Sequence, residues 1–82
     1  MHRYYFHLQD GRTILDETGV DLPDLAAVQH NALATTSELL SGMKSGPNFW
    51  AGEPWKLWVT DRPDGLGTTV LTLTFSASVV PA

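Results

Sequence analysis

Apolar residues recur along the chain at two periods, and the change from one to the other marks out its elements. From Arg3 to Gln9 the run RYYFHLQ is dense in aromatic residues and ends at Asp10-Gly11. This is a strand followed by a hairpin signal, because Asp-Gly suits the two positive-φ positions of a type I′ turn. A two-residue turn sets Leu8 opposite Thr13, Phe6 opposite Leu15 and Tyr4 opposite Glu17. Tyr4, Phe6, Leu8 and Leu15 then share one face, with Tyr5, His7, Ile14 and Asp16 on the other. A slip of one residue would put Phe6 against Asp16, so the first register is preferred. The segment TGVDLP, residues 18–23, reads as a loop anchored on the core by Val20 and Leu22.

From Asp24 to Met43 the period becomes helical. Leu25, Val28, Ala32, Leu39 and Met43 form the apolar stripe, widened by Leu33 and Leu40. Gln29, His30, Thr36, Ser37 and Glu38 lie away from it. Asp24 is the expected N-cap, and Pro23 disfavours an earlier start. Gly42 and Gly46 are candidate C-caps, with Pro47 as a stop. The loop Ser45 to Pro54 carries Phe49 and Trp50, which with Trp55 are expected to plug the open end of the core. The alternative role for Phe49, Trp50 and Trp55 is a lid over a small molecule or peptide.

Alternation at period two returns in WKLWVT, residues 55–60, where Trp55, Leu57 and Val59 oppose Lys56, Trp58 and Thr60. Arg62-Pro63-Asp64-Gly65 fits a turn with proline second. In the last strand, Thr68 to Ser78, Leu71, Leu73, Phe75 and Ala77 oppose Val70, Thr72, Thr74 and Ser76. The order is β-β-α-β-β: a single α+β domain, residues 1–82, with one helix on one face of a mostly antiparallel four-stranded sheet. Each strand pair is a hairpin, and the first and last strands, the most apolar, are expected at the centre.

Composition narrows the function classes. At 82 residues the chain is near the lower limit for a core that stands alone, and it has no cysteine to supplement it. No apolar run reaches membrane-spanning length, and MHRYYFHLQD lacks a leader's apolar stretch, so a cytoplasmic protein is expected. The net charge of −4 and five scattered basic residues argue against a nucleic-acid binder. His2, His7 and His30 with Asp10, Asp16 and Glu17 lack metal-ligand spacing, and His7 near Asp16 reads as a surface pair or a solvated histidine. Ser37, Ser41, Ser45, Ser76 and Ser78 lack a nucleophile elbow, and no glycine-rich loop joins a strand to a helix. No catalytic residue, metal or cofactor is expected. The acidic residues Asp16, Glu17, Asp21 and Asp24 read as a solvated turn plus a cap.

RYYFHLQDG at the start, DETGVDLPDL before the helix, WKLWVTD and the closing TVLTLTF together resemble a family of small bacterial domains of unknown function. The resemblance covers nearly the whole chain. It implies the fold class and a bacterial cytosolic setting, and assigns no activity. A weaker likeness, through GVDLPDL, is to the antitoxin half of a bacterial toxin–antitoxin pair, without that group's DNA-binding segment.

One helix covers one sheet face, which leaves Tyr5, His7, Ile14, Trp58, Val70, Thr72 and Thr74 as an exposed interaction surface. A homodimer formed by sheet packing or strand-edge pairing is the expected use, with an unidentified protein partner as the other protein reading. The alternative is a nucleic-acid-associated or antitoxin-like regulator. In it Tyr5, His7 and Trp58 stack bases while Arg3 and Lys56 meet phosphates. The net negative charge disfavours it.

Overall fold

The structure, a computed structural model of the chain, describes residues 1–42 and 52–81. Six elements follow in order: β1 (His2–Gln9), β2 (Thr13–Ile14), β3 (Val20–Leu22), α1 (Leu25–Gly42), β4 (Trp55–Thr60) and β5 (Thr69–Phe75). The sheet runs β2-β1-β4-β5, with β3 also on β1, and every pairing is antiparallel. This is the expected α+β arrangement of one helix on a mostly antiparallel sheet, but the centre is β1 and β4. The last strand, placed at the centre from its apolar content, is at an edge.

Alternation in β1 and β4 is what builds the core. Phe6 pairs with Val59 and Leu8 with Leu57, and across β4 Val59 pairs with Leu71, Leu57 with Leu73 and Trp55 with Phe75. Directly opposed residues point to the same side, so these pairs make one apolar layer. Leu57, Val59 and Trp55 are buried there with Val28 and Ala32 of α1, and Tyr4, Phe6, Leu8 and Leu22 pack around them. Trp55 lies against Phe75, ring centroids 5.7 Å apart, as a core residue of β4. Phe49 and Trp50, its suggested companions, lie outside the described residues, as do Met43, Gly46 and Pro47.

The helix starts where expected. The Asp24 carboxylate accepts the Ala27 N–H at 2.8 Å, and the Asp24 carbonyl accepts that of Val28 at 3.2 Å. As far as residue 38 its buried stripe is narrower than the apolar pattern suggests; the side chains of Leu39 and Leu40 lie outside the described ones. Val28, Ala32 and Thr36, spaced by four, face the sheet, while Leu25 and Leu33 are exposed. Thr36 is buried in line with Val28 and Ala32 although its Oγ1 finds no hydrogen-bond partner among the described residues.

The first hairpin has the register that was disfavoured. Leu8 pairs with Ile14 and Gln9 with Thr13, one residue from the expected match. A type I′ turn needs positive φ at both central residues, and of the pair only Gly11 has it, at 70°. The chain turns over three residues instead, with the Asp10 N–H bonded to the Arg12 carbonyl at 3.0 Å. The slip moves Ile14 to the helix side with Leu8 and sends Leu15 to the underside. The segment expected to be a loop supplies β3, in which Tyr4 pairs with Val20 and His2 with Leu22. The turn at Arg62-Pro63-Asp64-Gly65 closes as expected, with the Gly65 N–H on the Arg62 carbonyl at 3.2 Å.

Val70 also changes sides. Val59 pairs with Leu71 but Thr60 with Thr69, so Val70 is the extra residue of a β-bulge. It packs against the core cluster and lines a recess with His2 and Tyr4.

Leu57→Ala should cost about 2–5 kcal/mol, and Asp24→Ala, which loses one cap bond, about 1 kcal/mol. Urea unfolding followed by tryptophan fluorescence measures both. Equal losses would contradict the ranking of core over cap.

Candidate functional site

Three rows of side chains form the sheet face away from the helix: Tyr5 with Thr60, His7 with Trp58 and Thr72, and Gln9 with Lys56 and Thr74. Of the seven residues expected there, Tyr5, His7, Trp58, Thr72 and Thr74 are present, whereas Ile14 and Val70 are on the other side. The five present are not equally accessible. His7 is fully buried, Tyr5 and Trp58 are half-buried, and only Thr72 and Thr74 are exposed.

Loops of the same chain do the covering. The His7 Nδ1 accepts the backbone N–H of Asp16 at 3.0 Å, so the ring carries its proton on Nε2. That Nε2–H donates to the Thr60 hydroxyl at 2.8 Å, and the hydroxyl donates to the Arg62 carbonyl at 2.7 Å. The Trp58 ring stacks at a tilt on His7, centroids 5.1 Å apart. A surface pair with Asp16 was expected, but His7 is a core histidine with both nitrogens bonded.

Asp16 completes the edge of β1. One carboxylate oxygen accepts the Phe6 N–H at 3.1 Å, and the other accepts those of Thr18 at 3.0 Å and Gly19 at 3.1 Å. Phe6 lies in the gap between the stretches of β1 paired with β2 and with β3, so the carboxylate acts in place of a strand carbonyl. Burial tends to raise the Asp16 pKa, but the N–H bonds from Phe6, Gly19 and Thr18 outweigh it and hold the group below its ordinary 3.8.

The remaining loop contacts are close. Gly19 has φ of 74°, and a Cβ there would come within 2.7 Å of the Tyr5 ring. Arg3 holds Asp21 with two bonds of 3.1 Å and the Thr18 carbonyl with one of 2.8 Å. A Cβ on Gly65 would lie 3.1 Å from Leu15 and 3.7 Å from Trp58, so the two loops meet under the tryptophan. Lys56 sits over the outer part of the Trp58 ring at 5.1 Å.

Of the residues expected to stack bases and meet phosphates, His7 is inaccessible and Arg3 is bonded to Asp21. Open on this face is a polar cleft of about 330 Å³ lined by Gln9, Gly11, Glu53, Pro54, Lys56 and Thr74.

The edges of the sheet differ more than its faces. That of β1 is closed by β2, Asp16 and β3. The outer side of β5 pairs with no strand among the described residues. The regular part of β5, Leu71 to Phe75, has neither a charge nor a proline. Beside it Leu33, exposed on α1, forms an apolar cleft of about 300 Å³ with Gln29, Leu71 and Leu73. Sequence reasoning missed both the Asp16 network and this edge. The signal for the first is Asp16 two residues before Thr18-Gly19, where a carboxylate can cap the following N–H groups.

Residues 3–76 match a family model described as Domain of unknown function (DUF6894). No curated protein and no solved structure matches the chain.

Because the Asp16 pKa is depressed on folding, its contribution is complete above pH 3.8 and is lost as pH falls through the folded-state value. Asp16→Ala should cost about 1–3 kcal/mol at neutral pH, by stranding three N–H donors. It should also flatten the acid side of the stability curve measured by urea unfolding. A variant whose curve runs parallel to the wild type's would contradict this role.

Proposed function

This chain belongs to the DUF6894 family, and we propose that it acts as a non-catalytic interaction or regulatory module that self-associates through the outer edge of β5, which no described strand pairs. The observation that carries the reading is the uncharged outer edge of Leu71–Phe75 beside the exposed Leu33. An unpaired row of N–H and C=O groups is a template for another strand, and proteins that stay monomeric usually guard such an edge with lysine, proline or a covering element. Here the guarding is on β1. Of the two routes to a dimer, edge pairing is better supported than face-to-face packing, because the chain's own loops already occupy His7 and half-cover Trp58.

The non-catalytic part rests on the same network. His7, Asp16 and Thr60 are the residues in this structure most like an acid–base set, and each is engaged with the chain itself. Nucleic-acid binding has less support, given the −4 charge and the engaged Arg3. A bacterial, cytoplasmic setting belongs to the same proposal, supported by the opening RYYFHLQDG signature and the absence of cysteine.

Light scattering should show a mass rising from 9.0 kDa towards twice that value as concentration reaches the high micromolar range. Thr72→Lys combined with Thr74→Lys places charge on the edge without touching the core. It should weaken association by about tenfold or more with an unchanged circular dichroism spectrum. A mass that stays at 9.0 kDa throughout would overturn the proposal.

A further inference from the structure

We infer that the occupant of the β5 edge is a second copy of this chain, paired antiparallel about a two-fold axis that passes beside Leu73. The inference rests on the self-association just proposed and specifies its register. Three observations lead to it.

The first is the extent of regular edge. The bulge at Val70 breaks the alternation of β5 at one end, so the ladder available to a partner is Leu71 to Phe75, whose midpoint is Leu73. A two-fold axis perpendicular to the sheet preserves the facing of side chains, and so must pass beside a residue rather than between two. Centring it on Leu73 pairs all five residues. Centring it on Thr72 brings Val70, the bulged residue, opposite the partner's Thr74.

The second is chemical self-complementarity. In this register Leu73 faces the partner's Leu73, Leu71 faces the partner's Phe75, and Thr72 faces the partner's Thr74. Apolar residues meet on the helix side and hydroxyls on the underside, each kind opposite its own. No charged group lies on this stretch, so two copies each carrying −4 bring no like charges together at the seam.

The third is the apolar cleft beside the seam. Leu33 is 60% exposed and lines it with Gln29, Leu71 and Leu73, on the side where the partner's Leu73 would enter. The apolar layer over β1, β4 and β5 would continue into the second copy. A five-residue strand pair with this flanking contact is at the small end of stable interfaces, below about 1,200 Å² in total, which fits a dimer that dissociates on dilution.

The absence of cysteine makes the register directly readable. Thr72 and Thr74 are both exposed, so Thr72→Cys and Thr74→Cys leave the core untouched. Directly opposed residues have Cα atoms about 4.5–5.5 Å apart, within disulfide reach, whereas diagonal ones lie at about 7–8 Å. Mild oxidation of an equimolar mixture of the two variants should therefore give at least about tenfold more covalent dimer than either variant alone. Linkage of Thr72→Cys alone, or of Thr74→Cys alone, as readily as the mixture would overturn the Leu73-centred register. No linkage in any sample, with the wild type still doubling in mass, would overturn the β5 seam and leave self-association to another surface. A wild type that is monomeric by mass would remove both.

Discussion

An open sheet has two ends, and each leaves a row of backbone groups that must be bonded, hydrated or covered. This chain treats its two ends differently. Along β1 the row is completed piece by piece: β2 bonds one stretch, β3 the other, and the Asp16 carboxylate takes the Phe6 N–H between them. Along β5 no described strand does the same, and the side chains there are leucine, threonine and phenylalanine. A charge placed on one edge and withheld from the other is the feature that links the fold to its proposed use.

The closed edge also explains the underside. Among the described side chains the helix contributes Val28, Ala32 and Thr36 to the core on one face, and the other face finds its cover in loops. The loop after β2 supplies it. Asp16 bonds β1 through its carboxylate and His7 through its backbone N–H, so a single residue fastens the loop at two places. His7, Thr60 and the Arg62 carbonyl extend that bond chain towards the second loop, where Gly65 lies against Leu15 and Trp58. A fully bonded polar network of this kind stabilises one arrangement, because breaking any member strands its neighbour.

Much of this was legible from periodicity. The alternation of Trp55, Leu57 and Val59, the helical spacing from Leu25, the cap at Asp24 and the turn at Arg62–Gly65 all depend on short-range rules, and the structure has them. The errors arose where a side chain took over work done by backbone. Asp10-Gly11 resembles a two-residue turn, but the chain turns over three residues and shifts the register by one, and nothing local announces that Asp16 will bond Phe6. That one slip moved Ile14 off the candidate surface, and the bulge moved Val70. The exposure of Leu33 was unreadable for a different reason: helical spacing places residues on a face, but which part of that face is buried, here Val28, Ala32 and Thr36, depends on the orientation of the helix on the sheet.

The candidate site was thus half visible. Tyr5, His7, Trp58, Thr72 and Thr74 do share a face, yet His7 is buried there and Tyr5 and Trp58 are half-covered. The proposed working surface is at the margin instead, where Leu71 to Phe75 runs beside Leu33. The central proposal is that β1 is closed by its own chain, whereas β5, which no described strand pairs on its outer side, takes a second copy. Amide hydrogen exchange at several protein concentrations tests this most directly. Protection along β5 should increase as concentration rises, while protection of Phe6 and its neighbours in β1 stays constant. Exchange along β5 that is the same at every concentration would contradict it.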